Sequence, residues 1–170
     1  MSQAKNKVEW CLRKARKELE GSAKHRGLVE TKPDLEEAKK HIAKAEHNLK
    51  AVLSFEKAGF SDWSVSASFY TIYHCLLAVI RKHGFESRNQ ECTLAMIEHL
   101  LEQGKVRISK DVIEAVKTTD AEERHEISAI TLREDYQYGT ETSIRDGRLD
   151  DLRALCRKAI DEAKEEIYRA

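Results

Sequence analysis

Proline occurs once in this 170-residue chain and glycine seven times, under half the share of about 12% that the two residues have in an average protein. Folds built from many short strands need a turn signal every 8–12 residues or so, and so few breakers cannot supply them. Sandwiches, barrels and Gly-rich phosphate-loop α/β folds are disfavoured on that ground. No G-x-S-x-G, G-x-x-x-x-G-K-[ST] or G-x-G-x-x-G motif occurs, which lowers the expectation of hydrolase, P-loop or dinucleotide chemistry. The four cysteines, Cys11, Cys75, Cys92 and Cys156, form no C-x-x-C pair and have no histidine at zinc-finger spacing, so reduced, mostly buried thiols are expected. No segment reaches the ~18 apolar residues of a membrane span, and the start of the chain has no apolar leader-like run. A cytoplasmic protein that does not engage a membrane is the resulting expectation.

Charge of one sign is also missing, since 30 Lys+Arg face 30 Asp+Glu. Neutrality hides an asymmetry. Through Lys32 the chain has nine basic residues (Lys5, Lys7, Arg13, Lys14, Arg16, Lys17, Lys24, Arg26, Lys32) against four acids (Glu9, Glu18, Glu20, Glu30), a net of +5 that leaves −5 for the remainder. The leading segment carries Val8, Cys11, Leu12, Ala15 and Leu19 at helical spacing and ends near Gly21 or Gly27. Residues 1–32 are therefore read as a basic helix appended to a body of residues 33–170. That helix is either a nucleic-acid-contacting arm or a solvated face packing its leucine stripe on the body.

The body is read as all-α, an antiparallel up-and-down bundle that brings the total to about five to six helices. Pro33-Asp34-Leu35-Glu36-Glu37 has the chemistry of a helix start, with acids where the helix dipole favours them. Leu35, Ala38, Ile42, Ala45, Leu49 and Val52 then recur at alternating steps of three and four to about Ala58. A polar link, Ser61-Asp62-Trp63-Ser64, leads to a second helix from Val65 to about His83, whose run Cys75-Leu76-Leu77-Ala78-Val79-Ile80 marks it as the central element. Shorter helices are expected over Cys92 to Gln103 and after a Ser109 cap, and a last one over about Arg148 to Tyr168. Thr118 to Gly139 has weak periodicity, with Ile127, Ile130 and Leu132 as anchors, and its structure is left open.

Metal chemistry has little support. A di-iron bundle needs two Glu-x-x-His motifs, and only Glu122-Glu123-Arg124-His125 is present, so no metal and no cofactor are expected. Two polar groupings remain. Tyr70, Tyr73 and His74 stand at i, i+3 and i+4 of the central helix; they form either a satisfied set in a helix seam or one wall of a cleft. The segment from Leu132 to Gly139 contains Arg133, Tyr136 and Tyr138. Arg133 suits a phosphate, with a fixed charge and five donors, and Tyr138 suits stacking on a base. On one ideal helix Arg133 and Tyr138 are offset by roughly 140°, which works against a joint site. Arg88-Asn89 reads as a loop turn rather than a phosphate contact.

The order of these elements resembles the HEPN family, small all-α domains of archaea and bacteria often encoded beside minimal nucleotidyltransferases. The likeness runs from about Asp34 to Tyr168. It rests on the long first helix of the body, the Ser66-Ala67-Ser68-Phe69-Tyr70-Thr71-Ile72-Tyr73-His74-Cys75-Leu76-Leu77-Ala78 run followed by His83-Gly84-Phe85, the Arg133 segment and the closing amphipathic helix. The resemblance implies a homodimer whose arginine segments meet at a cleft, with nucleotide or RNA as ligand and a nucleotidyltransferase or toxin–antitoxin partner protein. Many members are metal-independent ribonucleases with Arg, four to six residues, then His. Here Arg133 matches the arginine, but Tyr138 occupies the expected histidine place, flanked by Gln137 and Gly139, and a phenol with a reference pKa of about 10 is a poor base. Binding of nucleotide or RNA without cleavage is therefore expected, on Arg133, Tyr136, Tyr138, Tyr70, Tyr73 and His74. A divergent metal-independent endoribonuclease, with His74 or another histidine in the missing role, and a structural protein-interaction module are the alternatives.

Overall fold

The computed structural model describes residues 2–117, 129–144 and 146–169. Its helices are α1 (Gln3–Gly21), α2 (Leu35–Lys57), α3 (Ser61–Lys82), α4 (Gln90–Glu102), α5 (Lys110–Glu114), α6 (Ala129–Tyr138) and α7 (Asp146–Tyr168). Two three-residue strands, β1 (Leu28–Glu30) and β2 (Phe85–Ser87), pair antiparallel with Val29 opposite Glu86. The all-α reading stands apart from this ribbon. The helix beyond the five or six expected is α6, which lies in the stretch whose structure the sequence left open. Ile127 and the Glu122–His125 motif lie outside the described residues.

Helix α3 is the axis of the fold, packed by α2, α7, α6 and α4. Ile72, Leu76, Val79 and Ile80 are completely buried in it, each contributing about 1.5–3 kcal/mol of apolar burial. By length and composition α3 is long and apolar enough to cross a membrane, with a mean hydropathy of 1.3 over its most apolar 18 residues. That corrects the expectation that no segment approaches a span. Two thirds of that stretch (67%) is nevertheless buried inside the bundle, as befits a core helix. The helix also begins earlier than expected, because Ser61 to Ser64 belong to it rather than to a link. Their hydroxyls are satisfied locally: Ser64 Oγ donates to the Val52 carbonyl at 2.9 Å, and Ser61 Oγ accepts from the Ile144 N–H at 3.0 Å. Ser68 and Thr71 likewise donate to carbonyls one turn back, both at 2.8 Å, so these hydroxyls sit in the core with their hydrogen bonds made.

The helix ends follow local chemistry. Asp34 accepts from the Glu37 N–H at 2.9 Å at the start of α2, and Asn89 accepts from the Cys92 N–H at 3.0 Å at the start of α4. Asn89 is thereby committed to capping, and its neighbour Arg88 lies 3.3 Å from Glu86, in agreement with a turn. Gly84, after α3, has φ +83°, and a Cβ there would come within 2.9 Å of the Thr31 carbonyl. Only glycine lets β1 approach so closely that Thr31 N–H donates to the Gly84 carbonyl at 2.7 Å.

The expectation of four unpaired thiols is corrected. Cys11 of α1 and Cys92 of α4 form a disulfide, with Cα atoms 5.9 Å apart, while Cys75 and Cys156 are free and buried. The pairing arises because α1 packs along α4 and against β1, burying Ala4, Val8, Cys11 and Ala15. A separation of 81 residues carries no local signal of it. The disulfide also withdraws the argument that led from reduced thiols to a cytoplasmic setting.

Candidate functional site

The most concentrated chemistry lies where α6 crosses α3. Ala129 and Leu132 are buried in this contact and orient the helix so that Arg133 reaches over α3, its guanidinium carbon 4.4 Å from the centre of the Phe69 ring. Tyr73 stacks on Phe69 at 5.9 Å, Tyr70 meets it edge-on at 5.2 Å, and the Tyr73 hydroxyl hydrogen-bonds Thr93 of α4 at 3.1 Å. A cation held over an aromatic face is stabilised by the ring quadrupole by about 0.5–2 kcal/mol. Arg133 is mostly covered, its Nε is buried without a hydrogen-bond partner, and the nearest carboxylate among the described residues, Glu134, is 3.9 Å away. The result is a positioned guanidinium whose donors the described residues leave largely unused.

The remaining predicted residues do not all join it. Although Tyr70, Tyr73 and His74 share a stretch of helix, only the two tyrosines meet at Phe69. Phe69 and His74 are five residues apart, an offset of roughly 140°, and His74 turns to α2, where its Nδ1 lies 3.0 Å from Nδ1 of His41. Burial, reinforced by His41 and Lys44, pulls His74 down to about 4, and burial lowers His41 as well. Both imidazoles are therefore uncharged at neutral pH, and one N–H serves the pair. Tyr136 packs on the core at a separate cleft of about 450 Å³, lined also by Asp135, Glu141 and Arg148. Two carboxylates against one guanidinium make that cleft unfavourable for a phosphate. Tyr138 is 80% exposed at the end of α6, so the offset foreseen from Arg133 holds.

Sequence reasoning missed Phe69 and His41 as partners. Phe69 stands inside the quoted aromatic run, but the arginine that caps it comes from a helix 60 residues on, and nothing local announces the contact. The free thiols add no nucleophile, because burial pushes Cys156 up to about 12 and Cys75 higher still. Among the described residues no group of three His, Cys, Asp or Glu is arranged to hold a metal.

This arrangement of a long α2, an aromatic-rich central α3, an arginine on α6 and a closing α7 coincides with a match to the model of the HEPN domain over residues 38–167. The chain belongs to the HEPN family. Membership suggests a nucleotide- or RNA-related function. The HEPN match takes in α3 and α6 whole and all but the last residue of α7 but leaves α1 and β1 outside. No curated protein matches the chain.

Proposed function

We propose that this HEPN protein binds nucleotide or RNA through the α3–α6 face without cleaving it. The observation that carries the reading is Arg133, pinned over Phe69 with its Nε unpartnered. A guanidinium so placed donates bidentately to a phosphate with little further ordering, and Tyr70, 45% exposed beside it, offers a ring for a base. Among the described residues, general-base catalysis has no candidate at this face. Tyr138, Gly139 and Thr140 fill the three places where a family ribonuclease would carry histidine, and His74 is turned toward His41. With no group among the described residues to take the ribose 2′-OH proton, the reading is that a bound phosphodiester is held rather than broken.

A second copy of the chain is the proposed cover for the outer edge of α3, where Trp63 is 60% exposed and Phe60 55%. Trp63 and Tyr70 are seven residues apart and so lie on the same side of the helix, the pattern of a protein-facing strip. In a homodimer the two Arg133 side chains then flank one groove, and a nucleotidyltransferase or antitoxin-like partner would act on that assembly.

The test is a titration of fluorescent single-stranded RNA and of a labelled mononucleotide with the wild-type chain and Arg133→Ala. The wild type is expected to bind without cleaving, and the variant to bind at least 10-fold more weakly, the scale of about 1.5–3 kcal/mol for a hydrogen bond to a charged group. Equal binding by both proteins overturns the reading. RNA cleavage by the wild type that Arg133→Ala abolishes replaces it with the ribonuclease.

A further inference from the structure

The charge asymmetry has a structural address on α1. At 100° per residue, Lys7, Arg13, Lys14 and Lys17 all fall within about 60° of Trp10 around the helix, whereas the acids Glu9, Glu18 and Glu20 lie about 80° or more away. The strip they define is cationic and acid-free over about 15 Å of helix, and Trp10 stands at its centre, 45% exposed. The ammonium groups of Lys7 and Lys14 lie 4.8 and 5.2 Å from the Trp10 ring centre. Lys7 is also paired with Glu91 of α4 at 2.7 Å, and Lys14 acts on the same carboxylate at longer range; Arg13, Lys14 and Lys17 make no ion pair at contact distance among the described residues. The opposite side of α1 is fastened by buried Val8, Cys11 and Ala15 and by the disulfide to Cys92, so the strip is presented on a fixed support.

We propose that this face of α1 is a second binding surface, for single-stranded nucleic acid, in which a base stacks on Trp10 and the flanking cations take the adjoining phosphates. An exposed indole beside a row of cations, of which only Lys7 is ion-paired, is the pairing of stacking platform and backbone-tracking charge that single strands require. A lipid surface fits less well, because an interfacial helix needs its broad apolar face free and that face of α1 is already buried against α4 and β1. The surface lies outside the family match and is independent of Arg133, since α1 packs on α4 and β1 while α6 packs on α3.

The experiment is fluorescence anisotropy of a labelled 20-nucleotide oligouridine with the full chain at several salt concentrations, using Trp10→Ala, Trp10→Tyr, the double variant Lys14→Gln/Lys17→Gln, and Arg133→Ala. Trp10→Ala is expected to weaken binding by about 10-fold, within the range alanine substitution gives for one stacked base, and Trp10→Tyr to restore most of it. The double variant is expected to flatten the slope of log affinity against log salt by about 1.4, two contacts at about 0.7 each for a single strand. Unchanged affinity in Trp10→Ala together with an unchanged slope in the double variant overturns the proposal, even where Arg133→Ala abolishes binding and the α3–α6 reading stands. The converse, loss with the α1 variants and none with Arg133→Ala, supports this surface and removes the other. Trp10-dependent binding to anionic phospholipid vesicles with none to the oligouridine assigns the strip to a membrane and also overturns it.

Discussion

Arg133 on α6 and Lys14 on α1 are both cations without a hydrogen-bonded carboxylate among the described residues, Arg133 having only Glu134 at 3.9 Å, yet they are held in opposite ways. Arg133 lies mostly covered on Phe69 with a buried, unpartnered Nε, so its position is set by the core around it. Lys14 stands on an exposed strip over the Trp10 ring and keeps the freedom of a long side chain. The difference separates two kinds of phosphate recognition. A preorganised guanidinium binds with directional hydrogen bonds and loses little entropy, whereas a row of mobile ammonium groups binds through counterion release and responds steeply to salt. The first is tied to the stability of the bundle; the second is built on a helix that can be altered on its outer face without touching the core.

That contrast can be broken most forcefully from the core side. Leu76→Ala empties a completely buried position of α3 and is expected to cost about 2–5 kcal/mol, read as a shift of the denaturation midpoint in urea. Next in size is the tether of α1. Cys92→Ser removes the link to Cys11 and is expected to cost about 2–4 kcal/mol; limited proteolysis should then cut between α1 and β1 sooner than in the wild type. If the variant melts and digests like the wild type, α1 is held by its packing alone.

Acidification probes α3 from its α2 side. His41 and His74 have folded-state values below those of unfolded chains, so the unfolded state takes up more protons, and stability falls as pH drops from about 6.5 toward 4. The loss at pH 5 is expected to be about 1 kcal/mol once partial solvent screening is allowed for, visible as a lower melting temperature. His74→Gln should flatten the profile in that window; an equally steep profile in the variant assigns the dependence to other groups. The smallest effect belongs to the outer face of α1, where Lys14→Gln/Lys17→Gln should change stability by no more than about 0.5 kcal/mol while altering the salt response of binding.

Much of the fold was legible because its signals are local. Asp34 caps α2 as its position after Pro33 suggested, and Gly59, Gly84 and Gly104, each with positive φ, close α2, α3 and α4. Ser61 to Ser64 misled because the same polar residues that form links also bond carbonyls inside helices, and only the neighbouring Val52 carbonyl and the Ile144 N–H reveal which applies. The Cys11–Cys92 bond and the two-strand ribbon were illegible for a different reason, since both depend on where α1 comes to rest. The candidate site was half legible. Arg133 was identified from its own chemistry and its separation from Tyr138 from helical angle alone. Phe69 beneath it and His41 beside His74 come from other helices, and of Tyr70, Tyr73 and His74 the two tyrosines share Phe69 while His74 turns away to His41.

The central claim is that single-stranded RNA touches this protein at two cationic places, and photocrosslinking reads that directly. A 4-thiouridine-substituted single-stranded RNA bound to the full chain, irradiated, digested and mapped by mass spectrometry should attach to the peptide containing Trp10 and to one containing Tyr70 or Tyr138, with the second adduct lost in Arg133→Ala. Adducts confined to the acidic α4 and α7 surfaces, or none above a high-salt control, would contradict the account.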